Sequence, residues 1–241
     1  MALPIIATPK YELTIPSTNK KVSYRPFLVK EEKVLLLANE TKDQKQIITA
    51  MRDIITNCTF GEVDVKTLAT FDIEYIFMQL RSKSIGENIE VKVKCKKCET
   101  QNPLSINTND IKIKKDNNIQ NNIRIAGTTG VIFNYPNFEA LQNLESTNSE
   151  NNGQKTEELL LFIASCIDTI YDDKQVYLAK DHSSKELVDF LESLPQVSFT
   201  KIMDFFNKMP YMSYSTTIKC SKCGHEETIE LKGAQDFFQS A

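Results

Sequence analysis

Two Cys-x-x-Cys pairs, Cys95/Cys98 and Cys220/Cys223, constrain this chain more than any other feature. Each follows a strand-like alternation, Ile89-Val91-Val93 before the first and Tyr214-Thr216-Ile218 before the second. Each also precedes a second short alternation, Leu104-Ile106 and Ile229-Leu231, so the pattern predicts two hairpins with one cysteine knuckle apiece. A two-residue spacer lets both sulfurs of a knuckle face one ion, and two knuckles complete a tetrahedron closed by protein, the arrangement of a structural Zn2+. Four thiolates leave about two uncompensated negative charges around a divalent ion, and Lys94, Lys96, Lys97, Lys219 and Lys222 stand where they offset them. Gly224 supplies the φ > 0 freedom that a knuckle turn needs, whereas Glu99 holds the matching place in the first pair. Redox-active or disulfide-paired cysteines are the alternative, although a thioredoxin-like motif expects a βαβ setting. Cys166 falls on an apolar helical stripe and Cys58 follows a helix, so both read as small buried side chains, and His225 reads as a solvent-exposed neighbour rather than a ligand.

Closing a loop of about 120 residues between the knuckles costs on the order of 4 kcal/mol, which metal binding offsets. The expectation is therefore a single clipped unit, and removal of zinc should loosen the middle of the chain and its C-terminal strands together. The 241 residues suffice for a real core. A net charge of −3 gives no broad attraction to nucleic acid or anionic lipid. The opening residues lack the basic start of a signal peptide, and the longest apolar stretch, 159–167, is too short to span a bilayer, so a soluble intracellular chain is expected.

The pattern along the chain predicts an α+β fold. Residues 1–87 read as an arm with two prolines, a hairpin of Tyr11-Leu13-Ile15 and Val22-Tyr24, and helical segments. A short helix starts near Glu31, with Val34, Leu35, Leu37 and Ala38. A second, with Thr41 and Gln44 as its capping box, buries Ile47, Ile48, Met51, Ile54 and Ile55, and a third carries Ile73, Ile76, Phe77 and Leu80 and stops at Gly86. Residues 88–106 and 212–232 form the zinc-ribbon-like module, 107–153 hold Asn-rich small strands and a polar linker, and 154–211 are helical, all within one compact unit. The last segment reads as three helices, bearing Leu159 to Ile170, Leu187 to Leu194 behind a Ser183/Glu186 capping box, and Ile202 to Met209. The N-terminal arm and the Phe237-Phe238 tail expose apolar area unless something covers them, which makes them interface candidates.

No catalytic constellation assembles. Glycine-rich phosphate loops, Gly-x-Ser-x-Gly and His-Glu-x-x-His are absent, and Asp172-Asp173 and Asp181-His182 fit capping or solvation, so no enzyme activity is expected. A zinc-ribbon nucleic-acid-binding regulator is a competing function, because lysines flank both knuckles. Stacking aromatics are missing there, and Glu99, Glu226 and Glu227 dilute the patch.

Specific strings carry further information. Tyr24-Arg25-Pro26-Phe27, Glu31-Glu32-Lys33-Val34-Leu35-Leu36-Leu37-Ala38, Phe71-Asp72-Ile73-Glu74-Tyr75, and Leu80-Arg81-Ser82-Lys83-Ser84-Ile85-Gly86-Glu87 resemble the baseplate hub assembly protein family of T-even-type contractile-tailed bacteriophages. The cysteine pairs and Tyr135-Pro136 are similar to that family's pattern too. The resemblance implies a non-enzymatic assembly or structural protein of the tail hub, working in the host cytoplasm through contacts with other hub or tail proteins. It implies neither a membrane nor a small-molecule substrate. Both a resident of the virion baseplate and a transient tail or tape-measure chaperone absent from the mature particle fit it.

Overall fold

The computed structural model describes residues 6–41, 44–116, 119–138, 140 and 152–238. Contacts within the chain gather into two units, the first holding 1–65, 71–114 and 210–241, the second 66–70 and 115–209.

The first unit opens with the hairpin read from the sequence, β1 (Tyr11–Thr14) against β2 (Lys21–Tyr24), with Leu13 opposite Val22 and both buried. Three helices follow: α1 (Val29–Thr41), α2 (Gln44–Cys58) and α3 (Thr70–Ser84). The hairpin is tied to them through polar bonds. Ser17 N donates to Asp72 Oδ1 at 3.0 Å, Phe27 N to Ser84 Oγ at 2.8 Å, and Arg25 N to the Cys58 carbonyl at 2.9 Å. Ile54, Ile55 and Cys58 of α2 and Ile73, Ile76, Phe77 and Leu80 of α3 are buried, as their spacing predicts, while Ile47, Ile48 and Met51 are half-buried.

Helix α1 forms where expected but turns an unusual face inward. Its buried residues are Glu31 and Ala38, whereas Val34, Leu36 and Leu37 are 46%, 59% and 53% exposed. The cause is an ion pair: Arg25 Nη2 reaches Glu31 Oε1 at 2.9 Å, Leu28 N caps Glu31 Oε2 at 2.8 Å, and Arg25 Nη1 donates to the Pro26 carbonyl. With two charge-assisted bonds the buried carboxylate is satisfied, and that fixes which side of α1 faces the protein.

Two more hairpins complete the unit. β3 (Asn88–Lys94) pairs with β4 (Gln101–Asn107), and β10 (Tyr211–Lys219) with β11 (Glu226–Lys232). β5 (Lys112–Lys114) adds to the free side of β10, placing Lys114 opposite Tyr211. Met78 from α3, Ile89, Val91 and Ile106 from the first hairpin, and Met212 from β10 form one core with Phe237 of the closing helix α7 (Gly233–Phe238). Phe237 is completely buried. The Phe237-Phe238 tail is an interface candidate unless something covers it, and for Phe237 the cover is internal: α7 places its ring in the unit's own core. Of the N-terminal arm, residues 1–5 lie outside the described residues, and Ile6 is 87% exposed.

The second unit is built on a four-stranded antiparallel sheet ordered β6 (Asn122–Ala126), β7 (Thr129–Phe133), β8 (Ile167–Tyr171) and β9 (Val176–Leu178). Helices α4 (Asn152–Ser165), α5 (Ser184–Glu192) and α6 (Gln196–Asn207) supply Ile163, Leu191, Ile202 and Phe205 to one core with Ile123, Val131 and Phe133 of the sheet. Phe133 stacks on Phe205 with ring centroids 5.7 Å apart. The capping box of α5 forms as read, with Ser183 Oγ and the Glu186 carboxylate each accepting from the other's backbone N–H. One element departs from the sequence pattern. The helix expected to run through Ile170 ends at Ser165, and Ile167–Tyr171 is a strand, so 154–211 is not wholly helical. Most of the polar linker, 145–151, lies outside the described residues.

Candidate metal centre

Both knuckles have one backbone plan. Between the last ladder rungs, Lys94 to Gln101 and Lys219 to Glu226, each turn closes with the same pair of bonds. Cys95 N donates to the Thr100 carbonyl at 3.0 Å and Glu99 N to the Cys95 carbonyl at 2.9 Å; Cys220 N donates to the His225 carbonyl at 2.8 Å and Gly224 N to the Cys220 carbonyl at 3.0 Å. The fifth residue of each turn is left-handed, Gly224 at φ +66° and Glu99 at φ +57°. The first knuckle therefore adopts the glycine conformation without a glycine, at a strain of about 1–2 kcal/mol. His225 contributes its carbonyl to the turn.

The two knuckles meet. The sulfurs of Cys95, Cys98, Cys220 and Cys223 all lie within 4.8 Å of one another. Cys98 Sγ is 3.5 Å from Cys220 Sγ, and Cys95 Sγ 3.7 Å from Cys223 Sγ. Disulfide sulfurs sit at about 2.05 Å, so these thiols are not bridged, and all six cysteines are free. A tetrahedron with metal–sulfur bonds of about 2.3 Å has edges of about 3.8 Å, close to the separations seen. Donor set and spacing both fit a zinc ion.

Polar groups from each hairpin steady the other. Asn102, buried at the start of β4, accepts from Ser221 N and Ser221 Oγ, both at 2.9 Å, and aims Nδ2 at Cys220 Sγ, 3.7 Å away. In return Glu227 of β11 accepts from Lys96 N at 3.1 Å and pairs with Lys96 Nζ at 3.3 Å. Backbone N–H groups of Cys223 and Lys222 hold the Cys220 thiol down to about 6. The Thr100 hydroxyl and N–H likewise hold Cys98 below its ordinary range. At Cys223 the N–H of His225 acts in the same direction, but burial and the crowding sulfurs override it and push the thiol up to about 11. Of the flanking lysines, Lys96 is engaged by Glu227 and Lys219 by Glu226 at 3.1 Å. Those ion pairs consume part of the basic character on which a nucleic-acid reading depends. Cys58 and Cys166 are buried, as expected, and burial pushes their thiols up to about 11 and about 12. Nothing in the sequence pattern singled out Asn102; an asparagine on a strand of alternating residues carries no signal until its neighbour across the fold is known.

The four-sulfur cluster brings two hairpins of an α+β protein together into one cysteine-bearing scaffold. The comparisons say which scaffold: residues 8–239 match the family described as T4 bacteriophage base plate protein, and the chain belongs to that family. It is 25% identical over 231 residues, 95% of this chain and 98% of the relative, to the baseplate hub assembly protein gp26 of Enterobacteria phage T4, of which it is a distant homologue. No solved structure matches. Among the described residues no helix is long and apolar enough to cross a membrane.

Proposed function

We propose that this chain helps to assemble the central hub of a phage tail baseplate through contacts with other tail proteins, without chemistry of its own. The observation that carries this is the similarity, over nearly the whole of both chains, to a protein named for hub assembly. The family match over 8–239 supports it. So does α1, which keeps Val29, Leu36 and Leu37 exposed, apolar area of the kind that partner chains cover.

Cys95, Cys98, Cys220 and Cys223 hold a structural zinc in this proposal. With all four positions taken by sulfur, no coordination site is left for water or substrate, so the ion acts by joining hairpins distant in sequence. The place of action is the host cytoplasm during tail assembly. Affinity purification of the tagged chain from infected cells, combined with metal quantification, tests both parts. Co-purifying tail components and about one zinc per chain are expected; recovery of the folded chain with neither overturns the proposal. Mass spectrometry of purified particles then separates a resident subunit, whose peptides are present, from a transient chaperone, whose peptides are not.

A further inference from the structure

The second unit contains a cavity of about 290 Å³ between the β8–β9 hairpin and α5. Its lining residues include four with rings, Tyr171, Tyr177, His182 and Phe190, and two with carboxylates, Asp172 and Glu186. Among the described residues that line it there is no lysine or arginine. The volume is worth about ten waters and lies at the small end of ligand sites. A single long side chain fits.

The walls are held in place by the fold. Gly130 faces Tyr171 across the β7–β8 ladder, and a Cβ there would overlap the tyrosine ring, so the glycine is what lets that ring lie over β7. The Tyr171 hydroxyl donates to Asn122 Oδ1 at 2.7 Å. Asp172 Oδ1 takes N–H bonds from Lys174 and Gln175 at 2.8 and 2.9 Å, while Oδ2 has the longer 3.3 Å bond from the Tyr177 hydroxyl. Glu186 Oε2 is used in the capping box, and among the described residues Oε1 has only His182 Nδ1, 4.0 Å away. The Gln175 and Lys174 N–H groups lower the Asp172 pKa, and the Ser183 N–H lowers that of Glu186, so both keep their charge at neutral pH.

We infer that this cavity receives the cationic side chain of a partner protein, an arginine in preference to a lysine. Aromatic faces attract a cation, carboxylate oxygens form charge-assisted bonds to it, and a guanidinium meets both demands with one planar group. An anion is repelled by the two carboxylates, and an aliphatic side chain gains nothing from them. The inference rests on the protein-contact reading above only for the source of the cation; the site itself is tested without reference to the hub.

The test titrates the full-length zinc-loaded chain with Nα-acetylarginine methylamide, n-butylguanidinium, spermidine and n-butanol, following methyl and aromatic NMR signals of Ile170, Leu187 and Phe190. Saturable shifts with both guanidinium compounds and none with n-butanol are expected. Asp172→Asn and Glu186→Gln, which preserve most of the hydrogen bonds, should each weaken binding about five-fold, with unchanged spectra elsewhere confirming the fold. Equal response to n-butanol marks a merely apolar pocket and overturns the inference. So do a lack of response to the guanidinium compounds, variants that bind as the native chain does, and spermidine binding more than about ten-fold tighter than the arginine derivative, which would point to a free polyamine. Failure to recover tail components from infected cells would bear on the proposed function and leave this titration untouched.

Discussion

The strain in the first knuckle can be measured by exchanging the two turn residues. Gly224 sits at φ +66° with no atom within 4 Å of where a Cβ would stand, so Gly224→Ala introduces backbone strain and no collision. A left-handed non-glycine residue costs about 1–2 kcal/mol, and the lost freedom of the unfolded chain returns about 0.4–1 kcal/mol. The net penalty is about 1 kcal/mol, or about five-fold in an equilibrium constant. With the zinc proposed above, the knuckle is ordered together with its ion, and the penalty is read as zinc affinity. Glu99, exposed and at φ +57°, offers the reverse experiment. Competition with a chromophoric chelator at fixed pH and ionic strength should show Gly224→Ala about five-fold weaker than the native chain, Glu99→Gly about five-fold tighter, and the double variant close to native. If Glu99→Gly weakened zinc binding, or Gly224→Ala left it unchanged, turn strain would not be coupled to the sulfur cluster and the reasoning would fail.

Asn102→Asp removes the amide donor aimed at Cys220 Sγ and puts a negative charge beside the sulfurs; the same chelator competition should show affinity about 10–100-fold lower. Replacing Arg25 by Met leaves the Glu31 carboxylate buried without its guanidinium and should destabilise the chain by about 3 kcal/mol in urea unfolding. Burial tends to raise the Glu31 pKa, but bonds from Arg25 and Leu28 win and lower it. The stability it confers is therefore full above the unfolded carboxyl pKa of about 4.3 and fades as pH falls through the lowered folded value, and Glu31→Gln should flatten that part of the acid-unfolding profile. Gly130→Ala drives a methyl into the Tyr171 ring and should cost about 1–3 kcal/mol; adding Tyr171→Ala should restore much of it, which a double-mutant cycle by thermal unfolding will show. Chelation of the proposed zinc should expose the β3–β4 and β10–β11 amides to hydrogen exchange first, and uniform exchange throughout the chain would contradict that.

The knuckle hairpins were legible because two local signals coincide, period-two alternation and paired thiols with a fixed spacer. Helices α2, α3, α5 and α6 were legible from apolar spacing, and α5 from its capping box as well. Strand β8 was not, because Cys166 and Ile170 continue the helical spacing of Phe162 and Ile163. The β-branched residues Ile167, Thr169 and Ile170 before Asp172-Asp173 were the competing signal, and pairing with β7 decided the matter. The inward face of α1 was hidden for a different reason. Leucines beside a glutamate would normally be assigned to the core, and only the neighbouring arginine from another element reverses the choice. Asn102 and the burial of Phe237 depend on contacts with residues far away in the chain, which no local pattern encodes.

The pairing of Lys114 with Tyr211 has an evolutionary corollary. Lys114, where the chain leaves the sulfur-bearing unit, and Tyr211, where β10 begins, are partners on one rung of that ladder, although residues 66–70 belong to the second unit as well. An insertion or deletion between residues 115 and 209 can therefore be absorbed without breaking a rung of the β5–β10 ladder.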